Sequence, residues 1–262
     1  MTTINYIYIL TLLTFLFSCN KKNPTHLYIE FIHTVDDVNI ISDIESNHEE
    51  YLLNNKRFKM NNDLLPYTNF IGQKYNIQTL KYLISNIKIV DINSMSTEIK
   101  DIHFVDISDP NSLIIDCGEI ENREYDKILF TMGIDSIYNI SNEFINENFH
   151  STMYWPEIMG GGYHYMKLEG DYDTITKGYA THTGGTNGKD FSFNNIIDIN
   201  ITTNDQTEAV TLTINMNINN WYQNPNTINI SPGIMSNESR QLEIKQNGEN
   251  NVFTLESINI LD

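Results

Sequence analysis

The chain has 262 residues, 40% of them apolar, and a formal net charge of -18. That is enough material for one large all-β core, and the acidic balance excludes charge-driven binding to nucleic acid or an anionic membrane surface. Cations are the favoured partners of such a chain.

The first eighteen residues, MTTINYIYILTLLTFLFS, carry no charged side chain and centre on an apolar run from Ile7 to Phe17. The run is too short to span a bilayer and reads as a signal peptide. It ends in Leu16-Phe17-Ser18-Cys19, a small residue before a cysteine, which resembles a bacterial lipoprotein signal. Cys19 is then the lipidated first residue of the mature protein, and Asn20 to Pro24 form a polar tether. This reading divides the chain into a signal peptide (1–18), a lipidated cysteine with its tether (19–25) and one domain (26–262). It places the protein in a bacterial cell envelope, lipid-anchored on the periplasmic side or at the cell surface of the outer membrane. Cys117 is the second of two cysteines, so no intrachain disulfide is expected, and its apolar context predicts an inert thiol.

Beyond the tether, HLYIEFIHTV, KYNIQTLKYLISNIKIVDI, NSLIIDCGEI, YDKILFTMGI, GYHYMKLEG, NNIIDINITT, AVTLTINMNI and NVFTLESINIL are β-branched and aromatic runs separated by Asn, Asp, Gly and Ser. Many short strands with few helical signals predict an all-β fold, a single antiparallel β-sandwich with short helical excursions. The expected helices are Ser46 to Lys56 and Asn142 to Asn148, the second capped by Ser141.

No serine-nucleophile elbow, phosphate-binding loop or dinucleotide glycine pattern occurs, so no enzyme is expected. None of the seven histidines pairs at i, i+2 or i, i+4, so a metal site must be assembled by the fold. Strict strand alternation puts Tyr163, Tyr165, Lys167 and Glu169 on one face, with His164, Met166 and Leu168 on the other. His182 lies where a strand gives way to Gly184-Gly185, and His150 precedes Met153 and Trp155. Neutral imidazole suits copper, zinc and nickel, and thioether sulfur selects Cu(I), so these residues lean toward copper. Calcium at Asp171, Asp173 and neighbours, or at Asn187 to Asp190, is a second cation expectation for so acidic a chain, although no EF-hand spacing is present.

Several stretches, in order, resemble one family. Gly72-Gln73-Lys74-Tyr75 with Leu80-Lys81-Tyr82-Leu83-Ile84-Ser85-Asn86-Ile87 looks like its first strand pattern, and Gly133-Ile134-Asp135-Ser136 like its G-[VI]-D-S turn. Met153-Tyr154-Trp155, then Gly162-Tyr163-His164-Tyr165-Met166-Lys167-Leu168-Glu169-Gly170, resembles its tryptophan and strand block, and Thr181-His182-Thr183-Gly184-Gly185 its later histidine segment. This is the MbnP-like copper-binding family, and the likeness runs over roughly residues 26 to 222.

The resemblance implies a secreted β-rich domain that binds copper through histidines, in some members with a tryptophan oxidised to kynurenine by a dihaem partner of the MauG type. Carried onto this chain, His164 and His182 are the metal-binding imidazoles and Trp155 the candidate for oxidation, with His150 and Met153 as further candidate ligands. Glu157 stands where many relatives have a second tryptophan, and Trp221-Tyr222 is assigned to packing. Pro156 and Gly160-Gly161-Gly162 are expected to fold the Trp155 segment back along the strand carrying His164, with Glu169, Asp171 or a backbone carbonyl holding the second imidazole nitrogens. The alternative is a metal-free lipoprotein that binds glycan or protein through an aromatic platform of Tyr154, Trp155, Tyr163 and Tyr165.

Overall fold

A computed structural model describes residues 24–36, 38–40 and 64–262. The expected signal peptide, Cys19, residues 20–23 of its tether and the Ser46 to Lys56 helix lie outside the described residues, while Thr25, placed with the tether by the sequence reading, opens β1. Two sheets form the domain. The first runs β13 (Phe253–Leu261), β12 (Ala209–Asn217), β1 (Thr25–Val35) and β2 (Val38–Asn39), with β7 (Ile114–Ile120) also on β1. The second runs β11 (Phe193–Thr202), β8 (Glu124–Met132), β5 (Thr79–Asp91), β9 (His164–Tyr172), β4 (Lys74–Tyr75) and β3 (Tyr67–Thr68). β10 (Thr174–Gly184) joins it on β9, and β6 (Ser96–Asp106) on β5.

The pattern of β-branched and apolar residues dictates this arrangement. Leu27, Ile29 and Phe31 of β1 and Val210, Leu212, Ile214 and Met216 of β12 are buried against Tyr82, Ile84, Ile128 and Phe130 of the other sheet. Phe253 of β13 meets Phe130 edge-on at 5.2 Å, which ties the two sheets through their aromatic rings. The sandwich is therefore as expected, with one difference: β1 and β12 pair in parallel. Strands so far apart in sequence need no hairpin, and the intervening chain serves as the long crossover a parallel pair requires.

Two helical readings change. Asn142 takes a positive φ of 67°, which breaks the expected helix at its first residue. The segment runs as turns, and the helix, α1, forms at His150–Met153. Ser141 does not cap it; its hydroxyl accepts the Gly162 amide at 2.9 Å. The longer helix α2 (Glu238–Asn251) has no apolar period to announce it, because it buries Gln241, Ile244, Asn247 and Gly248.

The outer face of the second sheet is covered as well. Leu83 of β5, Tyr163, and Tyr165 of β9 pack with Ile134, Phe149, Met153 and Phe191 in a second apolar cluster. The segment from Gly133 to Gly162 thus closes over the sheet and delivers Trp155 to its edge.

Candidate metal centre

The Trp155 segment returns along the start of β9 as expected. Trp155 donates its amide to the Gly162 carbonyl at 2.9 Å, and Tyr154 bridges Tyr163. The reversal uses three glycines in succession, all at positive φ (122°, 71° and 86° for Gly160, Gly161 and Gly162). Side chains there would also collide: a Cβ on Gly162 would lie 2.5 Å from Asn139 Oδ1. Asn139 itself accepts the Tyr163 amide at 2.8 Å, so the Gly133 to Ser141 turn holds the glycine loop in place.

His164 reaches the site through a register irregularity. His182 pairs with Lys167 and Thr183 with Met166, but Gly184 pairs with His164, not with Tyr165. Tyr165 is an extra residue in β9, a β-bulge that re-aims the side chain before it. Strict alternation puts His164 with Met166 and Leu168; the bulge instead sets it on the side of His182. The two imidazole rings meet at 5.0 Å between centroids with an interplanar angle of 84°. The Trp155 indole packs edge-on to His164 at 4.6 Å. Gly184 makes room for it, since a Cβ there would sit 2.8 Å from Trp155 Cε3.

Each imidazole has one ring nitrogen held. A carbonyl and an ionised carboxylate only accept, so the partners fix the tautomers. His164 Nδ1–H donates to the Met153 carbonyl at 3.2 Å, leaving Nε2 with its lone pair, buried and without a partner among the described residues. His182 Nε2–H donates to Glu169 Oε1 at 2.6 Å, leaving Nδ1 with the lone pair. Trp155 Nε1 is a further buried polar atom with no partner among the described residues. Trp155 is fully buried and His164 is 5% exposed. Burial, then the neighbouring His182 and Lys167, lowers the His164 pKa to about 3, so the ring is neutral at ordinary pH. The hydrogen bond from His182 is the main cause that holds the Glu169 carboxyl below the usual range.

The other candidates lie elsewhere. His150 Nδ1 takes the Tyr163 hydroxyl at 2.9 Å and its ring meets Tyr154 and Tyr163, not the two converging histidines. Met153 lends its carbonyl, while its side chain packs in the second apolar cluster. Asp171 accepts from Gln78 at 2.6 Å, Asp173 pairs with Lys177, and no group of three or more His, Cys, Asp or Glu able to hold a metal occurs among the described residues. The converging pair offers two imidazole nitrogens and no carboxylate cage among the described residues. Cys117 is partly buried, and burial pushes its thiol up to about 12, as an inert cysteine requires.

One contributor left no trace in the sequence. Gln241 of α2 is fully buried and donates its side-chain amide to the His182 carbonyl at 2.7 Å. A polar residue on a polar helix carries no signal of such a role.

No curated protein matches the chain. Among solved structures, MbnP from Methylosinus trichosporium is similar in fold: the likeness covers 91% of this chain and 99% of that one, with a TM-score of 0.54 and 9% identity. The family model described as MbnP matches residues 25–237, and the chain belongs to the MbnP family.

Proposed function

We propose that the chain is a copper-binding protein of the bacterial envelope, tethered through Cys19 and non-enzymatic, which captures or delivers copper. His164 Nε2 and His182 Nδ1 would hold the metal beside Trp155. Family membership supports the copper role. One observation carries the site: both imidazoles have one nitrogen held by an acceptor, and the second nitrogen of His164 is buried with no partner among the described residues. An unpaired buried polar atom is costly, whereas a metal ligand whose other nitrogen is anchored is the usual arrangement of a histidine metal site.

Charge favours the monovalent ion: His164 is buried, and Lys167 lies close enough to act on both His164 and Glu169, so the extra charge of Cu(II) would cost more to place there than that of Cu(I). Two neutral nitrogen donors without a carboxylate cage suit copper better than calcium or magnesium. Trp155 closes the site as an apolar wall. Its full burial leaves electron transfer through the protein as the route to any oxidation of the indole, which is the chemistry a MauG-like dihaem partner would supply. Peptide mass mapping of native protein tests this, and an unmodified Trp155 peptide in copper-loaded protein would remove it.

The aromatic platform fares worse. Trp155 and Tyr163 are fully buried and Tyr165 is 2% exposed: Trp155 packs on His164, and the two tyrosines lie in the second apolar cluster, so these rings do not face a glycan. The copper reading is tested by titrating the domain with Cu(I) and Cu(II), alone and with His164→Ala plus His182→Ala. Loss of one tight Cu(I) equivalent in the double variant is expected; unchanged stoichiometry and affinity would remove the site.

A further inference from the structure

We propose that Gln241 is a positioning residue for the metal-binding pair, acting on the backbone of β10 and not on the metal. The proposal rests on the copper reading above. Among the described residues β10 pairs with β9 alone, and its other edge has no described strand beside it. At that edge the side-chain amide of Gln241 stands in for the missing strand. Its Nε2 donates to the His182 carbonyl at 2.7 Å, and its Oε1 accepts the Gly184 amide at 3.4 Å. One side chain thus grips both residues that matter: His182, which supplies an imidazole, and Gly184, whose missing Cβ admits Trp155.

The rest of the helix is anchored to the same end of the sheet. Gln241 Nε2 also reaches the Met235 carbonyl at 3.3 Å. Glu238, one turn earlier, accepts from Asn187 Nδ2 at 2.8 Å and pairs with Lys189 Nζ at 2.5 Å. Asn187 in turn donates its amide to the Met159 carbonyl at 3.1 Å, on the turn that follows Trp155. α2 therefore braces β10 on one side and the loop beside the indole on the other. Imidazoles need a fixed orientation to bind metal tightly, and groups that supply it through other residues typically change affinity about tenfold to a hundredfold. The family match ends at residue 237, so this brace belongs to the part of the chain beyond it.

The test compares Cu(I) affinity, by competition with a chromophoric chelator, in the wild type, Gln241→Leu and Asn247→Ala. Asn247 is equally buried on the same helix but bonds the Trp221 carbonyl, at 2.9 Å, and the Asn226 backbone. Its loss therefore reports general weakening of α2. Gln241→Leu is expected to lower Cu(I) affinity about tenfold or more and to let the His182 ring exchange between tautomers in imidazole nitrogen NMR, while Asn247→Ala leaves both unchanged. Where Gln241→Leu does not fold, Gln241→Asn, which withdraws the same amide by one carbon, is expected to show the same loss. Wild-type affinity in the Gln241 variants, or an equal loss in Asn247→Ala, overturns the proposal. A wild-type protein that binds no copper overturns the copper reading instead.

Discussion

His164 and Gly184 stand opposite each other across β9 and β10 because Tyr165 is one residue too many for the ladder. That single irregularity brings two histidines eighteen positions apart in sequence onto one side of the sheet, and the bare Cα of Gly184 leaves the space that the Trp155 indole fills.

Gly184→Ala follows directly. The new methyl would meet the indole at 2.8 Å, and a well-packed site yields only by moving the ring. A loss of about 1–3 kcal/mol in urea unfolding is expected, with altered near-ultraviolet dichroism of tryptophan and weaker Cu(I) binding. Unchanged stability and spectrum would show that the indole does not rest on this glycine.

Glu169→Gln keeps a side chain that can accept from His182 but removes the charge. Cu(I) affinity should fall about tenfold, the size of effect seen when the partner of a metal-binding imidazole is weakened. Chelator competition measures it. Equal affinity would mean that the carboxylate neither orients the ring nor balances the ion.

Acid should destabilise the metal-free protein through His33. This ring is fully buried, hydrogen-bonded to the Tyr82 hydroxyl at 3.0 Å, and its pKa is lowered by burial to about 3. The unfolded chain takes up the same proton near pH 6.5, so between the two values the unfolded state binds more protons. The contribution is fully present above pH 6.5 and is lost as pH falls toward 3, by about 1.4 kcal/mol per pH unit. His33→Gln should make unfolding free energy shallower in pH by that amount over this window. An identical slope would show that His33 is protonated in the folded state.

Gly161→Ala addresses the glycine turn. At φ 71° an alanine is strained by about 1–2 kcal/mol, and its methyl would also press on Ser141 and Glu157. A lower melting temperature with weaker Cu(I) binding is expected; a variant as stable as wild type would mean the turn relaxes without the left-handed backbone.

Most of the sandwich was legible because alternation of β-branched residues is a local signal, as in β11, where buried and exposed positions alternate without a break from Phe193 to Thr202. The glycine turn was legible too, since three glycines in succession announce backbone that no side chain allows. The side on which His164 lies was not. A bulge is set by the pairing of two strands, and period-two reading of β9 alone assigns the wrong face. β6 was hidden by its polar, exposed sequence, and α2 by the polar residues it buries. Gln241 was beyond reach for the same reason, because what it binds is the backbone of a distant strand.

X-ray absorption at the copper edge, on Cu(I)-loaded protein, tests the central claim most directly. Two nitrogen donors with the outer-shell scattering of imidazole rings are predicted, and that signature should vanish when His164 and His182 are both replaced by alanine. A sulfur or all-oxygen shell, or an unaltered spectrum in the double variant, would contradict the convergence of these two rings on one ion.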